Sequence, residues 1–195
     1  SLEAVMVDPG GDEERLLGVI SEKGLKLKYI MLTHGHFDHI MGVHGIKAST
    51  GAEIIIAGGD AGCLESPESS LAGRVHLELV PEKPDHIAQD GSRYTAGGLE
   101  FEYILTPGHT KGSAVIRCGQ TLFTGDTLFA GDCGRCDLPG GSYTEMLNSL
   151  ERLYQLEGDY DVLPGHDEGT TLETERRRNR NMLQAHAYAC GEEIF

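Results

Sequence analysis

The chain has 195 residues and a formal net charge of −15, from 16 Lys and Arg against 31 Asp and Glu. That length suits one domain, residues 1–195, with a substantial core, and the acidic balance disfavours nucleic acid as a partner, because binding a phosphate backbone relies on Lys and Arg displacing counterions. No apolar run approaches a membrane span and the start is not signal-like, so the default expectation is a cytoplasmic protein with no membrane partner.

Residues 2–7 are expected to form a strand, closed by the turn signal Asp8-Pro9-Gly10-Gly11. Asp12 is then placed to cap a helix running through Ser21, with Leu16, Leu17 and Ile20 on one face and an end near Gly24. The next apolar run, Tyr29-Ile30-Met31-Leu32, has the pattern of a buried strand, and it leads into Thr33-His34-Gly35-His36-Phe37-Asp38-His39. Three imidazoles and a carboxylate fall within six residues there. In extended chain His34 and His36 face one side, Asp38 continues the alternation and His39 breaks it. Neutral imidazole and carboxylate are ligands that divalent zinc, manganese and iron accept. One ion rarely takes four ligands from so short a loop, so the loop is predicted to serve two adjacent ions.

A short helix is expected over residues 43–48 with Ile40, carrying His44 beside the site or at the surface. Residues 52–57 form a continuous apolar, β-branched run and predict a buried strand, followed over 58–71 by a loop with a helical turn. His76 and His86 stand apart from any motif and are expected to be hydrogen-bonded or solvated. Asp90-Gly91 and Gly97-Gly98 punctuate hairpin strands. The strand at 101–105 runs into Thr106-Pro107-Gly108-His109-Thr110, and the strand at 121–123 into Thr124-Gly125-Asp126-Thr127. Between them lies a strand over 113–117. Met146, Leu147, Leu150, Leu153 and Leu156 follow helical spacing and predict a packed amphipathic helix. The last strand, 161–163, delivers Pro164-Gly165-His166, and the tail from 172 to about 189 is helix-compatible, with Met182, Leu183 and Ala187 as its apolar face. Each motif thus puts one His or Asp just past an apolar strand, as a preorganised site on a rigid scaffold requires.

Five cysteines at uneven spacings do not suggest a secreted disulfide framework. Cys63, Cys118 and Cys190 are expected to be plain thiols. Cys133 and Cys136 form one C-x-x-C in the loop after Asp126, where loop packing is favoured over redox switching.

The ordered set H-x-H-x-D-H, P-G-H-T, G-D and G-H resembles the metallo-β-lactamase-fold hydrolases, from Val5-Met6-Val7-Asp8-Pro9-Gly10 to about Asn179. Gly125-Asp126-Thr127-Leu128-Phe129-Ala130-Gly131, Cys133-Gly134-Arg135-Cys136-Asp137-Leu138-Pro139-Gly140-Gly141, Thr170-Thr171-Leu172 and Glu175-Arg176-Arg177 look like the glyoxalase II (hydroxyacylglutathione hydrolase) branch. The resemblance implies an α/β fold, the αββα sandwich of two mixed sheets flanked by helices. It implies that His34, His36 and His109 hold one metal, that Asp38, His39 and His166 hold the other, and that Asp126 bridges them. Zinc is the first expectation for the two divalent ions, with iron and manganese as alternatives. The implied reaction is hydrolysis of a small-molecule thioester such as S-lactoylglutathione by a hydroxide generated at the metals, with Asp38 orienting it or taking its proton. Arg135 is either a fork for a substrate carboxylate or a brace through Asp137. A true β-lactamase is disfavoured, because those enzymes lack the bridging Asp. The alternatives are a persulfide dioxygenase with a single iron on residues matching His34, His109 and Asp126, and an inactive metal-binding module. Strands that usually precede residue 2 in the family are not seen, so either the chain is trimmed or the first sheet is short of an edge, and a second copy of the chain stays among the expected partners.

Overall fold

The computed structural model describes residues 2–191. In chain order they form β1 (Glu3–Val7), α1 (Glu13–Glu22), β2 (Lys26–Met31), α2 (Phe37–Ile40), α3 (Val43–Thr50), β3 (Glu53–Ala57) and β4 (His86–Ala88), with 3₁₀ turns at Gly58–Leu64 and Ala72–Val75. There follow β5 (Arg93–Ala96), β6 (Leu99–Leu105), β7 (Ala114–Cys118), β8 (Thr121–Gly125), α4 (Tyr143–Tyr154), β9 (Asp161–Pro164), β10 (Thr170–Thr171), α5 (Leu172–Arg178) and α6 (Arg180–Ala189).

Two sheets result. The first has the order β1-β2-β3-β4 and every pairing in it among the described residues is parallel, so of the two sheets expected to be mixed only the second is. The second runs β10-β9-β8-β7-β6-β5 and is mixed, antiparallel except for the parallel pair β8–β9. Alternation of side chains along each strand sorts the apolar residues into three layers. Met31, Ile55, Phe101, Tyr103, Ala114 and Ile116 meet between the sheets. Ile30, Leu32, Ile54 and Ile56 turn the other way, towards Val43 and Ile46 of α3. Val115, Leu122 and Val162 pack under Met146, Leu147, Leu150 and Leu153 of α4 and under Met182 and Ala185 of α6. That is the αββα sandwich. Tyr103, fully buried at its centre, donates its hydroxyl to the Ile55 carbonyl at 3.1 Å, so its buried polar atom is satisfied.

Three local expectations are corrected. Asp12 sits at the start of α1 in a left-handed conformation and makes no capping bond; its carboxylate pairs with Arg15 instead. The alternation predicted through Asp38 stops at His36, because α2 begins at Phe37. The tail is two helices, broken where Asn179 caps α6 by accepting from the amides of Asn181 and Met182. Its buried face is Met182 and Ala185, while Leu183 is exposed. No helix among the described residues is long and apolar enough to cross a membrane.

Candidate metal centre

The loops after β2, β6, β8 and β9 open on one edge of the sandwich and bring the predicted residues together. Ligand atoms of His34, His36 and His109 lie within 4.8 Å of one another, and all three residues are buried. His36 Nδ1 and His109 Nε2 are 2.8 Å apart. Asp38, His39 and His166 form a second such group, with Asp38 and His166 exposed. There His166 Nε2 is 3.2 Å from Asp38 Oδ2 and 3.3 Å from His39 Nε2. Asp126 stands between the groups. One of its oxygens, Oδ2, is 3.4 Å from His109 Nε2, and the other, Oδ1, is 3.4 Å from His39 Nε2.

The helical turn of α2 is what divides His39 from Asp38. It sends His39 inward, 3% exposed, and leaves the Asp38 side chain 39% exposed at the pocket. Gly165 makes the tight packing feasible, since a Cβ there would stand 2.5 Å from Asp126 Oδ1 and 2.6 Å from His39 Cε1. Only a residue without a side chain lets the β9 loop come so close.

Three of the four buried rings, His34, His39 and His109, are oriented through the far nitrogen, as metal-binding imidazoles usually are. His39 Nδ1 donates to Asp8 Oδ2 at 3.0 Å, and His109 Nδ1 donates to the Arg135 carbonyl at 2.8 Å. Thr33 Oγ1 donates to Asp8 Oδ2 at 2.5 Å and so accepts from His34 Nδ1 at 3.1 Å. In each case Nε2 is left for the site. Asp8 also accepts from the Thr33 amide at 2.7 Å. Sequence reasoning gave Asp8 only a turn role; its signal was a carboxylate at the end of a strand parallel to the one that delivers His34.

The donor set fits divalent cations. His34 Nε2 and Asp126 Oδ1 are buried with no hydrogen-bond partner, which is costly unless something else satisfies them. Burial, reinforced by repulsion from neighbouring imidazoles, holds His34 well below the ordinary histidine range and lowers His36 to about 4. Both are therefore neutral, the form that binds metal. His39 differs. Burial disfavours its charge, but the nearby carboxylates of Asp126 and Asp8, the latter accepting from Nδ1, outweigh that and raise it to about 10. Burial opposes ionisation of Asp126 too, and His39 overcomes it, so that carboxyl lies below its usual range. Without metal, His39 thus carries a proton that a cation must displace.

A cavity of about 280 Å³ lies over the centre, walled by Phe37, Leu71, Phe129 and Leu138 and floored by His36, Asp38, His109, Asp126 and His166. A larger one, about 510 Å³, opens between the sheets beside Val5, Val7, Phe101 and Phe123 and touches Asp8 and His39 from behind. The smaller cavity is the candidate substrate pocket, because it alone of the two meets His36, His109, Asp126 and His166. Arg135 stands at its rim with Nε and Nη2 each 2.7 Å from an oxygen of Asp137. Its fork is occupied, so a substrate carboxylate would have to displace Asp137. Cys133 and Cys136 are free thiols that pack against the α4 core. Burial, with help from Cys136, pushes Cys133 up to about 12, which keeps it protonated and unreactive at neutral pH. His44 and His86 pair with Glu82 and Glu53 at the surface, at 2.6 and 2.8 Å, away from the centre.

A sandwich of two sheets with His and Asp ligands on strand-end loops defines a class, and the comparisons agree with it. Residues 3–166 match the family model of the Metallo-beta-lactamase superfamily, and the chain belongs to that superfamily of metallo-hydrolases. Within it, the chain is 35% identical over 181 residues to the hydroxyacylglutathione hydrolase GloC of Haemophilus influenzae, covering 90% of this chain and 85% of that protein, which supports the glyoxalase II-like branch. Among solved structures it is similar to the BLEG-1 B3 metallo-beta-lactamase, with TM-score 0.86 and 32% identity over 92% of this chain and 88% of the other. It is also similar to TTHA1623 in a di-iron-bound form, with TM-score 0.80 and 35% identity over 89% and 87%.

Proposed function

We propose that the chain is a dinuclear hydrolase of acyl thioesters, with S-lactoylglutathione as the substrate to try first. The observation that carries this reading is Asp126, whose two oxygens each stand 3.4 Å from an imidazole nitrogen of a different three-residue group. A single carboxylate so placed suits two neighbouring cations better than one. His34, His36 and His109 would hold the first ion, Asp38, His39 and His166 the second, and Asp126 both. When bound, such a pair supplies Lewis acidity, bringing the pKa of a shared water towards neutrality and polarising a carbonyl. The relation to GloC, a hydroxyacylglutathione hydrolase by name, points to the glutathione thioester.

The chain's own residues supply the rest. Asp38, partly exposed in the pocket and 3.2 Å from His166, is the carboxylate placed to accept the proton of the attacking water. Phe37, Leu71, Phe129 and Leu138 wall the pocket and exclude bulk water around the acyl group. Asp8, through His39 and Thr33, and the Arg135 carbonyl, through His109, fix the ring orientations on which the donor set depends. Among the residues lining the pocket, none is needed as an acid for the leaving thiolate, since an ordinary thiol has a pKa near 8.5. Water adds its oxygen to the acyl carbon, the C–S bond breaks, and the products are a carboxylic acid and a thiol.

The test is steady-state thiol release from S-lactoylglutathione, run beside metal quantification of protein purified without added metal. The account expects turnover with two ions per chain. A competing outcome is kept in view: one iron per chain, oxygen uptake on glutathione persulfide and no thiol release would replace the hydrolase reading with persulfide oxidation. Inertness of zinc- and iron-loaded protein in both assays would leave a metal-binding module without activity.

A further inference from the structure

The three-histidine pocket joins loops that are far apart in sequence, and its rings crowd one another. His36 Nδ1 and His109 Nε2 face each other at 2.8 Å. In the metal-free chain that distance is a hydrogen bond between the two rings, and the loops that carry them are also held together by contacts outside the pocket. Part of the constraint is backbone: the Ala114 amide donates to the Thr33 carbonyl at 2.8 Å, joining the strand ends below the loops. The loop tips are joined by something else.

That link is Asp60, in the 3₁₀ turn Gly58–Leu64, only 3% exposed. Its Oδ2 accepts from the Gly35 amide, between His34 and His36, at 2.9 Å. The same oxygen accepts from Thr110 Oγ1, next to His109, at 2.7 Å, and Oδ1 accepts from the Gly112 amide at 2.8 Å. Thr110 is in turn tied to Ser113, whose Oγ accepts from the Thr110 amide at 3.0 Å, so the carboxylate grips a loop that is already closed on itself. Packing excludes looser versions of this arrangement. A Cβ on Gly112 would lie 2.4 Å from the Asp60 amide nitrogen, and one on Gly35 would lie 3.2 Å from Asp60 Cβ and 2.4 Å from Cys63 Cβ.

Resting on the reading of His34, His36 and His109 as one metal pocket, we propose that Asp60 is a positioning residue that sets the His34–His36 loop against the His109 loop. It touches neither ion nor substrate. It acts by giving both loops one shared acceptor, so that their imidazoles keep a fixed separation with or without a cation. A carboxylate suits this because it accepts from three donors at once with no hydrogen of its own. Asparagine has the same shape but turns an NH₂ towards one of the three donors, and the grip opens on that side.

The experiment is a metal titration of the full chain, stripped with a chelator and followed by competition with a chromophoric zinc indicator. The parent, Asp60→Asn, Thr110→Val and Thr110→Ser are compared at a temperature where thermal scans show each to be folded. The expected result is a loss of about 10- to 100-fold in zinc affinity at one site of Asp60→Asn, the scale on which outer partners act on metal sites, with the other site at parental strength. Thr110→Val shifts the same site by less, and Thr110→Ser, which keeps the hydroxyl, restores parental affinity. Combined with His166→Ala, Asp60→Asn weakens the single remaining tight event. A general loss of stability would weaken both sites together, and that result, or unchanged affinity at both, overturns the proposal. Should Asp60→Asn not fold, the Thr110 pair decides by the same criteria. A parent that binds no zinc overturns the metal centre itself, and the proposal with it; a parent that binds two ions while the variants match it overturns the proposal alone.

Discussion

The two halves of the centre are built on different kinds of backbone. His34, His36 and His109 sit within loops tied to both sheets, and all three are buried. The Asp38 half hangs on the one-turn helix α2 and on the loop after β9, and two of its three side chains reach solvent. His34 and His36 of the first half, neutral and desolvated, are ready for a cation, whereas His39 in the second must give up a proton held by Asp126 and Asp8. The difference teaches that one site of such a pair can be prepared by the fold while the other forms with its ion. The expected consequence, measurable by metal titration, is tighter binding in the first half than in the second.

The comparison breaks most completely at Asp126, which belongs to both halves. Asp126→Ala is expected to strip both ions and to lower turnover on a thioester by more than about 100-fold, beyond what loss of an outer partner costs. Metal analysis and kinetics on the same preparation check it, and a variant retaining both ions and full turnover would contradict the bridging role. His166→Ala sharpens the contrast. Metal counting should show one ion lost and the other kept, while His34→Ala, which removes a donor from the prepared half, should weaken that site and leave the other near parental strength.

Stability separates the halves in another way. Met146 is fully buried in α4, and its backbone packs directly under Gly108, next to His109. Met146→Ala is expected to cost about 2 to 4 kcal/mol, from lost transfer energy and the cavity left behind, and denaturant unfolding measures it. A smaller effect belongs to Asp90, which accepts from the Leu105 amide at 2.9 Å and pairs with Arg152 of α4 at 2.6 Å, holding the strand that leads to His109. Arg152 holds this carboxyl below its usual range against a smaller opposing effect of burial. A carboxyl lowered in the folded state adds stability that is full above its ordinary pKa and is lost as pH falls through the lowered value. Asp90→Asn is therefore expected to cost under about 1 kcal/mol at neutral pH, given the pair's exposure. That cost should shrink as pH falls below about 4, which unfolding curves at several pH values would show.

Much of this was legible in the residues. The strands at β2, β3, β6 and β8 were announced by apolar runs, and the candidate ligands are marked by falling in the loops that follow β2, β6, β8 and β9. α4 was legible because Met146, Leu150 and Leu153 keep helical spacing over about two turns. What escaped the sequence depends on pairs distant along the chain. Nothing near Asp60 announces that Gly35 and Gly112 will donate to it, 25 and 52 residues away. Nor does Asp8, inside a strong turn signal, announce its bond to His39. The helical turn of α2 was missed because the two-residue rhythm of His34 and His36 suggested an extended chain, whereas Phe37 to Ile40 fold back so that His39 and Ile40 are buried. The break at Asn179 was hidden for a similar reason. Its amide donates to the Asp132 carbonyl at 2.9 Å and to Glu175 at 2.9 Å, and those loop contacts, rather than local propensity, end α5.

The dinuclear hydrolase account is tested most directly by adding metal back stepwise to stripped protein while following thiol release from S-lactoylglutathione. Activity is predicted to stay low through the first equivalent, which fills the buried three-histidine pocket, and to rise with the second, which completes the Asp38 half. Full thiol release reached at one equivalent, or none at two, would contradict it.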